Sequence, residues 1–203
     1  ELGLNPGMHV ASNGAVVASY PPLQILEKVT FDAGRIIERV LQEHPTSLLG
    51  VEVVGQGYLV NRPFPPGELG GQVDVAPLAE LTNHPTTRVI VRDPHGSDDD
   101  FIDLAHRLGL DGVSYFIGYT AWLDIAPEGV DKATALASIA ERLGIDAADV
   151  LAIGDGRNDI EMLRWSGRGV TFPDSPPEVI AAADAVTTPF AAGGTASELR
   201  RWF

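Results

Sequence analysis

Two carboxylates four residues apart, Asp155 and Asp159, flank the amide of Asn158 in the run Gly154-Asp155-Gly156-Arg157-Asn158-Asp159. An apolar stretch, Val150 to Ile153, precedes the run, and Ile160, Met162, Leu163 and Trp165 follow it at helical spacing. The pattern predicts a buried parallel strand, a tight turn and a helix. Ligands in open α/β sheets sit beyond the carboxyl ends of strands, which is where both aspartates fall. Two carboxylates on such a turn suit a hard cation such as Mg²⁺, which takes one or two carboxylate oxygens and keeps several waters. The plainer alternative is a solvated turn in which Asp159 only favours the positive end of the following helix.

Lys132 adds a cation upstream. Of the 14 lysines and arginines, only Lys28 and Lys132 are lysines. Lys132 follows the loop Pro127-Glu128-Gly129-Val130-Asp131 and opens a helix through Ala135, Leu136, Ile139 and Leu143. A lysine in the first turn faces the positive end of the helix dipole, so the position makes sense if an anion arrives there. A compact ammonium suits a phosphoryl group. A solvated lysine whose stem covers the helix is the competing reading.

The elements that must position these residues divide into a discontinuous α/β core, residues 1–18 and 125–203, and an inserted α/β unit over 19–124. In the insertion the pattern predicts a helix at 31–43 (Phe31, Ile36, Ile37, Val40, Leu41) and strands at 48–54 and 57–61. A structured Pro/Gly-rich connection follows at 61–71, then a short helix near 76–81, a strand at 87–92, a helix at 98–108, and strands at 112–117 and 121–125. Hairpins interleaved with helices indicate an open sheet layered on helices. Ser97-Asp98-Asp99-Asp100 reads as the capped start of the helix that buries Phe101, Leu104, Ala105 and Leu108. In the core, Gly169–Phe172 reads as a strand and Pro176–Ala183 as a helix with prolines in its first turn. Asp174 is expected to cap that helix rather than approach the metal.

Composition bounds the function. Hydrophobic content of 44%, charged content of 21% and a mean hydropathy of +0.06 are those of a globular chain of one or two domains. A net charge of −14 argues against a nucleic-acid partner. An anionic substrate then requires Mg²⁺ and Lys132 to reverse the local field. No apolar run approaches the roughly 20 residues that span a bilayer. The absence of cysteine excludes disulfides and thiolate metal sites and fits a cytoplasmic enzyme. His9, His44, His84, His95 and His106 lack metal-ligand spacing and read as incidental.

Asp131-Lys132 followed by Gly154–Asp159 resembles the third and fourth motifs of the haloacid dehalogenase superfamily, and more narrowly its Cof-type (type IIB) sugar-phosphate phosphatases. Ser12-Asn13-Gly14-Ala15 is similar to the stretch that follows the third core strand in that branch, and Gly193–Leu199 resembles its closing helix. The resemblance implies a Rossmann-like, parallel-sheet α/β core with an inserted α/β cap. It also implies a Mg²⁺-dependent phosphatase of a small phosphorylated metabolite: a sugar phosphate, phosphoglycolate or a glycosyl phosphoglycerate. In that scheme Asp155 ligates Mg²⁺, Asp159 holds a metal water or orients Lys132, Asn158 donates to a phosphate oxygen, and Lys132 pairs with phosphate and the attacking carboxylate. The family's stretch after the fifth strand is replaced here by Phe172-Pro173-Asp174-Ser175.

The family's nucleophile motif, a strand ending Asp-x-Asp-x-Thr or Val, does not occur in the 203 residues; the nearest acidic run, Ser97–Asp103, opens a helix instead. The chain is therefore expected to begin inside a domain, with Glu1–Leu4 as a helix end broken by Gly3 and Pro6 and the nucleophile lying outside the sequence. Without the first two strands of that fold, the third (Met8–Ala11) and the fourth (Val150–Ile153) would not be neighbours and would expose their edges. A phosphomutase and a catalytically inactive module that binds a phosphorylated ligand stay open beside the phosphatase. Tyr58, Arg62, Arg88, Arg92, Tyr115, Tyr119 and Trp122 are the residues of the insertion that might face the substrate, each more readily explained as core or as a surface ion pair.

Overall fold

The computed structural model describes residues 6–110, 113–117 and 121–202. Tyr119 and the expected helix end at Glu1–Leu4 lie outside these. Three sheets organise the described residues. The first is an antiparallel meander of β1 (Gly7–Ala11), β2 (Val16–Tyr20) and β3 (Gln24–Lys28). Val17 on β2, with Met8 and Val10 on β1, packs against one helix, described below, through Ala135 and Ile139.

The insertion follows. α1 (Gly34–Glu43) leads into the hairpin β4 (Leu48–Val53) and β5 (Gly57–Val60), then β6 (Gln72–Val75), α2 (Leu78–Asn83), β7 (Val89–Arg92), α3 (Asp98–Leu108), β8 (Val113–Ile117) and β9 (Trp122–Pro127). Its six strands run in the order β6-β5-β4-β7-β9-β8, antiparallel except for the parallel β5–β6 pair. Strand side chains alternate between faces. One face, with Leu49, Val51, Val89, Val91, Leu123 and Ile125, is sealed by Ile37 and Val40 of α1, Leu81 of α2, and Phe101, Leu104 and Leu108 of α3, all at most 2% exposed. α3 starts on the capping box formed by Ser97 and Asp100 and ends at Gly109 in the left-handed conformation.

The chain then builds α4 (Lys132–Leu143), β10 (Leu151–Ile153), α5 (Ile160–Trp165), β11 (Arg168–Thr171), α6 (Pro177–Ala182), β12 (Ala185–Val186) and α7 (Gly194–Leu199). α4 is the helix against the first sheet. β10, β11 and β12 form the parallel sheet, with Leu163 and Val179 buried against Ala152.

Most elements lie within two or three residues of their sequence-based positions. β2 and β3 were not anticipated. The division expected between residues 18 and 19 falls inside β2, and hydrogen bonding carries the first sheet on to Lys28. β6 was also missed: Gln72–Val75 alternates polar and apolar residues over only four positions, directly after a Gly-rich stretch, and is exposed along its length. Of the two sheets outside the insertion, β10-β11-β12 is parallel and β1-β2-β3 antiparallel, because β1 turns straight back into β2. β1 and β10 belong to different sheets.

Candidate active site

The carboxyl end of β10 runs through Gly154 into a short 3-10 turn, Arg157–Asp159, that leads directly into α5. Asp159 is 4% exposed, and both of its oxygens are engaged. Oδ2 accepts the backbone N–H groups of Asp155 and Gly156, each at 3.0 Å. Oδ1 accepts from Lys132 Nζ at 2.5 Å. A buried carboxylate needs this kind of full hydrogen bonding and pairing to stay charged. Gly154 is required by the same packing, since a Cβ there would lie 2.5 Å from Asp159 Cβ.

Lys132 is the first residue of α4, behind the N-cap Asp131, whose side chain accepts from the backbone N–H of Thr134 at 2.7 Å. The helix start thus has its own acidic cap, and the ammonium reaches away from it to Asp159. The bond joins residues 27 apart in sequence and sets α4 beside the β10 turn. Asp155 is exposed at the mouth of the turn. It lines a cleft of about 600 Å³ with Phe172, Asp174, Ser175, Phe190 and Thr195. Asp174 does not cap α6: the N-cap position is Pro176, and no side chain caps the helix. Proline at the start already dispenses with one N–H, and Asp174 stands instead in the cleft that holds Asp155.

Asn158 Nδ2 donates to Asn13 Oδ1 at 3.1 Å, and Asn13 Nδ2 donates to Asp124 Oδ2 at 3.4 Å. Asp124 belongs to β9 of the insertion, on the sheet face opposite the helices. There its carboxylate takes Arg88 Nε and Nη2 at 2.8 Å each and Trp122 Nε1 at 3.0 Å. Tyr58 lies beside Arg88, with Nη1 to OH at 3.4 Å. Burial alone would lower the Arg88 pKa, but the charge and hydrogen bonds of Asp124 outweigh it and hold it above its ordinary value. Burial pushes the Tyr58 phenol upward. A second pocket of about 180 Å³ lies between the sheet and the β10 turn, lined by Phe116, Ile117, Asp124, Asp155, Gly156, Arg157 and Asn158.

Lys132, Asp155, Asn158 and Asp159 therefore share one turn and the helix start packed against it. Of the insertion's candidates, Tyr58, Arg88 and Trp122 converge on Asp124 above that turn. Arg62 is held by the carbonyls of Thr46 and Ser47, at 2.6 and 2.8 Å, and Arg92 pairs with Glu68 at 3.0 Å. Sequence reasoning passed over Asp124 and gave Asn13 no role. The signal for Asp124 was a charge alternating with Leu123 and Ile125 in a strand that is otherwise apolar or aromatic. Its partner, Asn13, was marked only as part of the Ser12–Ala15 stretch, with no sign of the contact it makes.

Among the described residues no three His, Asp or Glu side chains cluster as a metal cage. One or two carboxylates completed by waters is nevertheless the set Mg²⁺ accepts, and the exposed Asp155 fits it.

A family model for haloacid dehalogenase-like hydrolases matches residues 70–199, more than half of the chain and all of the Lys132 and Asp155–Asp159 region. The chain belongs to the haloacid dehalogenase-like hydrolases. Within the family, an uncharacterized protein encoded in the pdhA 5' region of Geobacillus stearothermophilus is 46% identical over 71 residues, 35% of this chain and 75% of that protein. A phosphoglycolate phosphatase of Methanoculleus marisnigri is 35% identical over 75 residues, 37% of this chain and 32% of the enzyme. The match thus spans about a third of that curated phosphatase. The solved structure of the subclass IIB sugar phosphatase BT4131 superposes with a TM-score of 0.80 at 18% identity, over 96% of this chain and 75% of that one. The α/β fold of this hydrolase is thereby that of the subclass IIB sugar phosphatase. No helix among its described residues is long and apolar enough to cross a membrane.

Proposed function

We propose that the protein hydrolyses a small phosphorylated metabolite with Mg²⁺ at the Lys132–Asp155–Asn158–Asp159 centre. The observation that carries this reading is the Lys132–Asp159 pair, 2.5 Å apart and 27 residues distant in sequence, set at the carboxyl end of β10 beside the exposed Asp155. When bound, Mg²⁺ supplies charge neutralisation to the transferring phosphoryl group. Asp155 holds it directly. Asp159, with both oxygens already engaged, acts from behind by fixing Lys132 and the Asp155–Gly156 backbone. Lys132 places its positive charge beside the phosphoryl oxygens, and the Asn158 amide donates to one of them.

An attacking carboxylate, which the Lys132–Asp159 centre does not itself supply, displaces the alcohol from phosphorus as that oxygen takes up a proton, and water then hydrolyses the aspartyl phosphate to free the carboxylate and release phosphate. Residues 29–127 act as a cap over the remaining core, shielding the reaction and selecting the leaving group. The pocket of about 180 Å³ against the β10 turn supports a leaving group of sugar size or smaller. A cytoplasmic enzyme is consistent with the absence of cysteine.

The test is phosphate release by the full-length protein with Mg²⁺ from hexose phosphates, pentose phosphates and phosphoglycolate. Turnover of at least one is expected. A purified, folded protein that turns over no phosphomonoester would contradict the reading.

A further inference from the structure

Asn13 lies where three parts of the molecule meet, and no step of the proposed hydrolysis uses it. It sits in the turn Ser12-Asn13-Gly14 between β1 and β2, where three consecutive residues have positive φ: 54°, 53° and 106°. For Ser12 and Asn13 this is the sparsely populated left-handed region, which side-chain-bearing residues keep only when the surroundings enforce it. The enforcing contact is Gly14, packed so closely on the loop before Lys132 that a Cβ would lie 2.0 Å from the Asp131 carbonyl oxygen. The turn is thus fixed by its backbone against the segment that presents Lys132, while its one amide side chain reaches the other two parts.

The hydrogen-bond directions are determined. The Asp124 carboxylate, paired with Arg88, only accepts, so Asn13 must turn its Nδ2 toward it and its Oδ1 the other way. Asn158 must then present Nδ2 to Asn13. One hydrogen of Asn158 Nδ2 is used by Asn13, and the second is available to an acceptor in the pocket that Asn158 lines with Asp124 and Phe116. Among the described residues, Asn13 is the hydrogen-bond partner that distinguishes the two flipped states of the Asn158 amide. In one of them its oxygen would face an incoming phosphate.

We infer that Asn13 is a positioning residue, which holds the Asn158 amide in its donor orientation toward a phosphate oxygen and links that orientation to the cap through Asp124. This deepens the proposed function and rests on it. The two links differ in length, 3.1 Å to Asn158 and 3.4 Å to Asp124.

The test is a cycle of Asn13→Gly, Asn158→Ala and the double variant in the full-length protein. Glycine accepts the left-handed backbone, so Asn13→Gly removes the amide without imposing strain. Inorganic phosphate binding is measured calorimetrically with Mg²⁺ present, and folding is checked by thermal melting. Asn13→Gly is expected to weaken phosphate binding about tenfold with a near-normal melting temperature. It should have little further effect once Asn158 is alanine, because residues acting through one another are non-additive. If the unsubstituted protein binds phosphate and Asn13→Gly binds it equally well, or weakens it just as much in the Asn158→Ala background, the inference is overturned while the functional reading stands. If the unsubstituted protein binds no phosphate, the inference falls, and turnover of phosphomonoesters decides the functional reading separately.

Discussion

Among the described residues, the inserted six-stranded unit carries one continuous cluster of fourteen buried apolar residues, from Ala33 to Ile125. The two smaller sheets have clusters of three each: Val17, Ala135 and Ile139 in one, and Ala152, Leu163 and Val179 in the other. The insertion is held by burial, which is non-directional and scales with area. The parts that carry the chemistry are positioned more by specific links: Lys132 to Asp159, Asn13 to Asn158, Arg168 to Glu198, and glycines at which two backbone segments nearly touch. Directional contacts fix atoms to the precision that phosphoryl transfer needs, since that reaction asks mainly for positioning and charge neutralisation. Their cost is that each is lost by a single substitution.

The contrast is broken most readily from the insertion's side. Phe101, fully buried on α3, fills the centre of the large cluster. Phe101→Ala is expected to lower stability by about 3–5 kcal/mol in urea unfolding. Amide exchange should quicken in β4, β7 and β9 while β10 and β11 keep their protection. Equal loss in both would show that the two regions share one cooperative core.

Gly14→Ala probes the other kind of construction. A Cβ 2.0 Å from the Asp131 oxygen, at φ 106°, must displace the turn or the loop before Lys132. A loss of about 1–3 kcal/mol is expected, with phosphate release falling by more than the stability loss accounts for. A destabilised variant with normal turnover of its folded fraction would mean that this contact is structural only.

The smallest effect is a pH dependence. Glu198 on α7 is buried and accepts from Arg168 Nε on β11 at 2.6 Å, and that hydrogen bond, the largest influence, holds its pKa below the ordinary value. A depressed carboxylate stabilises fully above its unfolded pKa of about 4.3, and the contribution fades as pH falls through the lower folded value. Glu198→Gln should therefore cost about 1 kcal/mol at pH 7, with Arg168 partly exposed to solvent. Its difference from the unsubstituted protein should shrink below pH 4. A difference that persists unchanged at pH 3 would assign the loss to packing.

The same contrast explains what was legible in the sequence. α1 and α3 write their buried face as a period of 3.6, and β4, β5, β7 and β9 are short, mostly apolar runs, so their positions could be read directly. The strand–turn–helix around Asp155 and Asp159 was equally plain, because apolar strand, glycine and amphipathic helix follow in order. β2 and β3 were hidden behind Tyr20-Pro21-Pro22 and by exposed apolar residues such as Leu23 and Ile25, which blur alternation. The Asn13–Asp124 link was out of reach for another reason. It joins residues 111 apart, and no local pattern encodes a contact that only the packing of the sheets creates.

The most direct test of the site is Mg²⁺-dependent phosphate release by the full-length protein and its Asp155→Asn variant, on whichever phosphomonoester it turns over fastest. Turnover is expected to stop on chelation and return with Mg²⁺, and the variant should fall by about 10²–10³-fold with unchanged melting. Release that survives chelation, or a variant as fast as the original, would contradict the assignment of the β10 turn as the catalytic centre.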